Sequence, residues 1–213
     1  MADPELTLYA DASWMSPWVF HAMVALEEKQ LPYKLEVFSM PLTGEQRKRL
    51  QDRAVLGKVP ALQHNELWIT ESLAISEYVA ERFPFPTSPR IFPADLGQRA
   101  RSRQVMLFLR TSLFALREDR PTSSVFGRPT NKVLSDKGKA DADELLRLAA
   151  TLVAPKATTM FDEYCIADSD LALCLMRLIA NEDAVPAHLV DYALAQFDRR
   201  SVRRFIAHLP TTP

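Results

Sequence analysis

The sequence has few cysteines and no long apolar run. Cys165 and Cys174 are the only two among 213 residues, nine positions apart in a stretch with a helical pattern. They fit neither a disulfide framework nor a zinc-binding spacing, and we expect both to be buried. No segment approaches the roughly 18 consecutive apolar residues that a membrane-spanning helix needs. The acidic start, Met1 to Glu5, is unlike the basic start of a signal peptide, so we expect a cytoplasmic protein without a membrane partner.

An excess of one charge is also missing. Lysine and arginine total 26 against 27 for aspartate and glutamate, and this balance gives no reason to expect nucleic acid as a partner. The segment 95–118 carries arginines between apolar residues, which we interpret as a solvated helix face beside a core stripe. With 47% hydrophobic and 25% charged residues, the composition is typical of a globular protein that can bury a sizeable core.

The first 83 residues alternate between strand and helix patterns. In chain order the elements are a strand at 5–10, a loop at 11–15, a helix opened by Ser16 and Pro17, a strand at 33–38, a short polar helix at 43–53, an edge hairpin of 61–63 and 67–69, and a helix from Ser72. The initial strand, helix and strand predict a unit with parallel strands and a right-handed crossover. The whole order predicts an α/β thioredoxin-like domain.

The start of the last helix in this domain suggests a ligand site. Ser72 is expected to cap the helix with its side-chain oxygen, and the carboxylate of Glu71 lies beside it. The first N–H groups of a helix lack intrahelical acceptors and the helix dipole is positive there, so such an end favours an anion. The adjacent carboxylate favours an ammonium group. Together these groups fit a zwitterion that resembles an amino acid.

Three segments of this domain match, in order and spacing, the glutathione-contacting segments of a known family. They are Ser16-Pro17-Trp18, Gly57-Lys58-Val59-Pro60 and Glu71-Ser72. The domain therefore resembles the N-terminal domain of the glutathione S-transferases, and in particular bacterial cytosolic enzymes of the serine type, theta- or zeta-like. The resemblance implies a cis peptide bond between Val59 and Pro60, which exposes the Val59 backbone to the cysteinyl unit of glutathione. The alternative is that Pro60 only keeps an N–H group off an edge strand.

The second half of the chain has a different pattern. Segment 84–93 is rich in proline and predicts a linker between a domain at 1–83 and another at 94–213. The family likewise has an all-helical C-terminal domain, and helical patterns recur here. The stretch from Cys165 to Asp168 resembles a helix-start motif of the family, with Cys165 in the place of Ser or Thr. Because a thiol is a weak acceptor, the cap could instead come from Asp168 or Ser169, with a shifted helix start.

Activation of glutathione requires a group that stabilises its thiolate, and Ser16 is the leading candidate. As the cap of the first helix, its oxygen can accept a backbone N–H while its hydrogen remains available for sulfur. The alternative is that Ser16 is only a cap. Ser13 is the rival donor, because it lies where redox proteins of this fold carry Cys-x-x-Cys, whereas Tyr9 falls too early, inside the strand. No cysteine occurs in this loop, which argues against thiol-disulfide exchange and against transferases of the cysteine type.

The other ligand contacts follow from the resemblance. It implies that Glu71 and Ser72 hold the γ-glutamyl ammonium and carboxylate, and that Val59 pairs with the cysteinyl backbone. Lys58 is assigned to the glycyl carboxylate or to the sulfur. An equally weighted alternative for Lys58 is a lysine that only faces solvent.

Weaker candidates complete the set. Lys34 and Gln46 are second choices for the glycyl end, with a surface lysine and a simple helix former as the alternatives. The electrophile site is expected between the domains, although apolar residues at such spacings more often belong to a core. Its candidates are Trp14, Met15, Phe108 and Phe114.

We therefore expect a glutathione transferase that is a homodimer, as the family is. Its partners are glutathione as a co-substrate, with no further cofactor and no metal, and a small hydrophobic electrophile. The same thiolate can attack the O–O bond of an organic hydroperoxide, which implies a peroxidase activity and a role in oxidative-stress defence; isomerase activity is a further option. The competing interpretation is a noncatalytic binding or regulatory protein of the same fold, and the intact Ser16 and Glu71-Ser72 favour the enzyme.

Overall fold

The computed structural model describes residues 5–210, so Met1 to Pro4, which form most of the acidic start, and residues 211–213 lie outside it. The chain divides into two compact units. Among the described residues, the first contains 5–91 together with 207–210, and the second runs from Phe92 to Ile206. The division falls within the proline-rich segment 84–93.

A four-stranded mixed sheet lies at the centre of the first unit. Its strands are β1 (Leu6–Asp11), β2 (Lys34–Phe38), β3 (Ala61–His64) and β4 (Leu67–Thr70), and its helices are α1 (Pro17–Glu28), α2 (Gly44–Ala54) and α3 (Ser72–Arg82). The strand order is β2-β1-β3-β4, with β1 parallel to β2 and both other pairs antiparallel. The predicted thioredoxin-like domain is confirmed.

Local capping explains where the first two helices begin. The Ser16 side chain accepts the Val19 N–H group at 3.3 Å, and Pro17 takes the first helical position of α1, where its missing N–H group costs nothing. Thr43 and Gln46 form a reciprocal capping box at α2. Both starts agree with the sequence expectation.

The bond between Val59 and Pro60 is cis, as the resemblance implied. Met40–Pro41 and Phe85–Pro86 are also cis. The alternative explanation for Pro60 is wrong, because the strand that follows it, β3, pairs with β1 on one side and β4 on the other. The edge strands of the sheet are β2 and β4.

The expected cap of α3 is also wrong. Ser72 is already the first helical residue, and the cap position belongs to Glu71, whose side chain makes no capping hydrogen bond. The reason is the backbone of Glu71, whose φ of 68° lies in the left-handed region and turns the chain so that Ser72 enters the helix directly. The buried face of α3 carries Ser72, Ile75, Ser76 and Val79.

The second unit is built from helices. They are α4 (Leu96–Thr111), α5 (Phe114–Asp119), α6 (Ser123–Phe126), α7 (Asp136–Leu152), α8 (Ile166–Ile179), α9 (Ala187–Phe197) and α10 (Arg200–Ile206). The pattern at 95–118 suggested one segment, but the backbone of Ser112, at φ −111° and ψ −98°, breaks it between α4 and α5. The expected all-helical domain is confirmed for Phe92–Ile206.

Helix α8 shows how a cysteine is accommodated at a cap. Cys165 takes the cap position and α8 begins at Ile166, so the helix start is not shifted. The Asp168 carboxylate accepts the Cys165 N–H group at 2.9 Å, while the thiol is at most a weak acceptor. The Cys165 side chain faces the Asp168 N–H group in return, so the reciprocal capping box of the motif is kept with Cys165 as the cap, and neither Asp168 nor Ser169 replaces it.

Candidate functional site

The loop that joins β1 to α1 is ordered by the carboxylate of Asp11. One oxygen of Asp11, Oδ1, accepts the Ser13 backbone N–H group at 3.1 Å and also the Ser13 hydroxyl group. The Ser13 oxygen in turn accepts the N–H group of Met15 at 3.3 Å. The hydroxyl hydrogen of Ser13 is therefore directed at a carboxylate within the loop.

Ser16 differs from Ser13 in what its hydroxyl group does. Its oxygen accepts the Val19 N–H group at 3.3 Å, and the residue is half-buried at the start of α1. Within residues 5–210 the Ser16 hydroxyl hydrogen has no acceptor. A hydroxyl group in this state can donate to a bound sulfur without losing its capping contact.

Tyr9, the third hydroxyl group considered, lies in the core beside α2. Its hydroxyl group donates to Gln63 Oε1 at 2.8 Å and accepts from Arg49 Nη2 at 3.2 Å, and its ring stacks on Trp68 with centroids 4.7 Å apart. Burial raises the pKa of Tyr9, with a contribution from the nearby Glu36 charge. Tyr9 is thus a structural phenol, in agreement with the expectation that it lies too early in the strand.

The segments at Lys58 and Glu71 meet in space. Lys58 Nζ lies 2.5 Å from Glu71 Oε1, and both side chains are more than half exposed, at 57% and 55%. The backbone of Val59 follows Lys58 directly. The structure therefore brings together two of the segments that the resemblance assigned to glutathione.

The N-terminus of α3 is suited to a carboxylate. Glu71 makes no side-chain cap, so the first N–H groups of α3 have no acceptor from the cap residue and retain their preference for an anion. Ser72 lies at this end and is 4% exposed. The conformation of Glu71, with its positive φ, is rare for a residue with a side chain and is typical of functional sites.

The weaker candidates are placed as follows. Gln46 Oε1 accepts the Thr43 N–H group at 3.0 Å and so is engaged in its own helix cap, while Lys34 is exposed on β2. Trp14 is buried and stacks on His208 with centroids 4.2 Å apart. Trp14 and Met15 belong to the first unit, and Phe108 and Phe114 to the second, so a shared electrophile site remains a prediction.

The two cysteines are buried, and the His, Cys, Asp and Glu side chains of the described residues form no metal-binding cluster. Burial raises the pKa of both Cys165 and Cys174, which keeps the thiols protonated and unreactive. Both are buried, as expected. Across residues 5–210, no cluster of three or more His, Cys, Asp or Glu side chains is arranged to hold a metal ion. In the same range no helix combines the length and apolar character that crossing a membrane requires.

Asp11 is the site residue that the sequence reasoning missed. It is 3% exposed at the end of β1, whereas the sequence analysis placed it as the first residue of the loop at 11–15. A signal was available, because an aspartate two residues before a serine in a loop is the pattern of a turn in which the carboxylate accepts that residue's N–H group.

Comparison with known protein families gives matches over both halves. A family model described as glutathione S-transferase, N-terminal domain, matches residues 15–82, and one described as glutathione S-transferase, C-terminal domain, matches residues 95–210. The second match alone covers more than half of the chain.

Individual proteins agree with the family models. Glutathione S-transferase U13 of Arabidopsis thaliana is 34% identical over 103 residues, which is 48% of this chain and 44% of that protein. A probable glutathione S-transferase of Nicotiana tabacum is 29% identical over 155 residues, which is 73% of this chain and 64% of that protein. The chain spans about half the length of the curated relatives it matches.

A solved structure matches over nearly the whole chain. The structure of a glutathione transferase homolog from Burkholderia GL BGR1, which holds bound glutathione, has a TM-score of 0.76 and 30% identity to this chain. The match covers 95% of this chain and 96% of that one.

Proposed function

Since this chain belongs to the glutathione S-transferase family, we propose that it activates glutathione as a thiolate and transfers it to small hydrophobic electrophiles. The observation that carries the proposal is the state of the Ser16 hydroxyl group. Its oxygen is engaged by the Val19 N–H group, and its hydrogen has no acceptor in the part of the chain that the structure describes. Ser16 therefore supplies a donor at the N-terminal end of α1 for the sulfur of glutathione.

The size of the activation follows from elementary magnitudes. A thiol like that of glutathione has a pKa of about 8.5, so only a few per cent is thiolate at neutral pH. A hydrogen bond to a charged acceptor contributes roughly 1.5–3 kcal/mol, and the end of α1 adds roughly 0.3–1 kcal/mol. Because one pKa unit corresponds to about 1.4 kcal/mol, these groups together lower the thiol pKa by about one to three units.

The rest of glutathione is assigned to the groups around α3. We assign the γ-glutamyl ammonium to the Glu71 carboxylate, and the γ-glutamyl carboxylate to the first N–H groups of α3 and the Ser72 hydroxyl. The backbone of Val59 pairs with the cysteinyl unit, and Lys58 reaches the glycyl carboxylate. The assignment requires the ion pair between Lys58 and Glu71 to open when glutathione binds, because the γ-glutamyl ammonium and the glycyl carboxylate lie at opposite ends of the tripeptide.

The test is the ultraviolet absorbance of thiolate when glutathione is added across a pH series. We expect bound glutathione to ionise about one to three pH units below 8.5 in the wild type, and Ser16→Ala to remove most of this lowering and leave only the contribution of the helix end. Ser13→Ala tests the rival donor, and it should remove less of the lowering than Ser16→Ala, because the Ser13 hydroxyl group donates to Asp11 and the Ser13 N–H group keeps its contact with Asp11. Ionisation that survives Ser16→Ala but not Ser13→Ala would reverse the assignment.

The alternative is a noncatalytic binding or regulatory protein. It predicts that glutathione binds without ionising, or does not bind at all, in the same titration. The hydroxyl of Ser16 and the open helix end at Glu71 favour the enzyme, because a binder has no need of a donor aimed at sulfur.

Replacing Glu71 by glutamine is expected to weaken glutathione binding by about 10- to 100-fold, since a charge-assisted hydrogen bond is worth roughly 1.5–3 kcal/mol. The free energy of unfolding should hardly change, because an exposed ion pair contributes little. Isothermal titration calorimetry and urea denaturation measure the two quantities. Glu66→Gln is the control, since Glu66 is exposed in the turn between β3 and β4. Equal effects from both variants would remove Glu71 from the site.

A peroxidase activity follows from the same thiolate, and we include it in the proposal together with a role in oxidative-stress defence. Sulfur attacks the O–O bond of an organic hydroperoxide, an S–O bond forms, and the alkoxide leaves as an alcohol after taking a proton. A second glutathione then displaces water from the sulfenic acid and gives the disulfide. Two thiols are thus oxidised as one hydroperoxide is reduced, with glutathione as the co-substrate.

Formation of glutathione disulfide from cumene hydroperoxide should be lost in Ser16→Ala, and a wild-type rate equal to the uncatalysed one rejects this activity.

We also propose a serine-type, theta- or zeta-like member of bacterial origin, located in the cytoplasm and forming homodimers. The serine in the first loop and the full-length similarity to the Burkholderia structure support the class. The homodimer is proposed from membership of the family. Sedimentation velocity should give twice the mass of the 24.1 kDa chain, and a monomer at all concentrations rejects the dimer.

A further inference from the structure

Asp11 is a buried carboxylate that the proposed reaction has not yet used. It lies at the end of β1 and is 3% exposed, and its second oxygen, Oδ2, is buried without a donor in the described residues. A carboxylate that is only half satisfied in a protein interior is costly. An apolar residue at the end of β1 would avoid that cost, so the carboxylate is retained for something other than stability.

The contacts of Asp11 point to the loop that carries Ser16. Asp11 Oδ1 accepts both polar hydrogens of Ser13, and the Asp11 carbonyl oxygen accepts the N–H group of Trp14 at 3.3 Å. Trp14 adopts a positive φ of 55°, and the Met15 N–H group donates to the Ser13 oxygen. These hydrogen bonds follow one another along the chain from β1 to the residue just before Ser16.

We propose that Asp11 is a positioning residue for thiolate activation, acting through the loop on Ser16. This inference rests on the proposed function. Asp11 fixes Ser13, Ser13 fixes Met15, and the next residue is the donor itself. The same contact also withdraws the Ser13 hydroxyl group from competition for the sulfur, because its hydrogen is held by the carboxylate.

The role depends on an acceptor at one place and not on negative charge, and two substitutions separate these properties. Asp11→Asn keeps an oxygen at the position of Oδ1 and removes the charge. Asp11→Glu keeps the charge and moves the acceptor by one methylene group. Positioning predicts that Asn preserves activation and Glu loses it, whereas a proton acceptor or a purely electrostatic group predicts the reverse.

The experiment measures the pKa of bound glutathione by thiolate absorbance, and kcat/KM with a chlorodinitrobenzene electrophile, in wild type, Asp11→Asn, Asp11→Glu and Asp11→Ala. We expect Asn to lie within about threefold of the wild type. Ala and Glu should raise the thiol pKa towards about 8.5 and lower kcat/KM by about tenfold, which is one pKa unit. A wild-type thiol pKa in Ala or Glu, or a loss in Asn equal to that in Ala, overturns the proposal.

A double-mutant cycle with Ser16→Ala tests whether Asp11 acts through Ser16. If it does, Asp11→Ala has no further effect on the thiol pKa once Ser16 is alanine, and an equal loss in both backgrounds overturns the proposal. Circular dichroism confirms that each variant is folded. If Asp11→Ala does not fold, the comparison of the isosteric Asp11→Asn with Asp11→Glu tests the proposal instead. Failure of the wild type to ionise glutathione rejects the proposed function, whereas normal ionisation in Asp11→Ala rejects only this inference.

Discussion

Replacement of Asp168 by alanine is expected to lower the free energy of unfolding by about 3–5 kcal/mol. Asp168 is fully buried, at 0% exposure. Its carboxylate accepts the N–H groups of Cys165 at 2.9 Å and Met160 at 2.8 Å, and the hydroxyl group of Tyr192 at 2.8 Å. Alanine leaves these donors buried without an acceptor, and each orphaned donor costs about 1–3 kcal/mol. Urea denaturation followed by circular dichroism measures the loss.

Two variants make this result specific. Asp168→Asn retains one acceptor oxygen and should lose less than Asp168→Ala. Asp162→Ala is the matched control, because Asp162 is exposed and accepts only from Gln98, at 2.7 Å, and it should change stability by less than about 1 kcal/mol. A loss in Asp168→Ala no larger than that of the control would show that the contacts of α8 with Met160 and Tyr192 do not hold the second unit together.

The parts of the fold that the sequence predicted are those set by short-range chemistry. Ser16 followed by Pro17 predicts a helix start, because a cap and a proline at the first helical position satisfy the backbone locally. The order of β1, α1 and β2 along the chain predicts a parallel pair, because two strands joined by a helix run in the same direction in the sheet. The cis bond at Val59–Pro60 came from the resemblance and not from local pattern.

The parts that were wrong depend on tertiary contacts. The prediction that Ser72 caps α3 was wrong because the positive φ of Glu71 is a property of the folded turn and cannot be recognised from the residue types. The break at Ser112 was not predicted because one apolar pattern continues from α4 into α5. The contact between Asp11 and the Ser13 hydroxyl group was missed because Asp11 was placed in the loop at 11–15, where hydrophobic periodicity gives no information on side-chain partners.

The choice between Ser13 and Ser16 shows the same limit at the site. The sequence favoured Ser16, as the expected cap before Pro17, but left Ser13 open as the rival donor. The hydroxyl group of Ser13 donates to Asp11, whereas Ser16 uses only its oxygen, for Val19. The hydrogen-bond directions, and not the residue types, therefore favour Ser16 as the donor to the glutathione sulfur.

Buried charge pairs are the contacts least visible in a sequence, and Arg120 and Asp183 form such a pair. Arg120 is 2% exposed and donates from Nε and Nη2 to both oxygens of Asp183, at 2.7 and 2.9 Å, across 63 residues of chain. The hydrogen bond to Asp183 raises the pKa of Arg120, so the guanidinium stays charged. Asp183→Ala is therefore expected to lower the free energy of unfolding by about 3–5 kcal/mol, because it leaves a buried cation without its carboxylate.

The chain contains a matched control for this pair. Arg147 also binds a carboxylate through two nitrogens, at 2.7 Å each to Glu144, but both of these side chains face solvent, at 64% and 43% exposure. Glu144→Ala should change the free energy of unfolding little, because water solvates the remaining guanidinium. The comparison holds the bidentate geometry constant and varies only burial. Equal losses in the two variants would mean that the geometry, and not the desolvated cation, determines the cost; a loss confined to Asp183→Ala assigns it to burial.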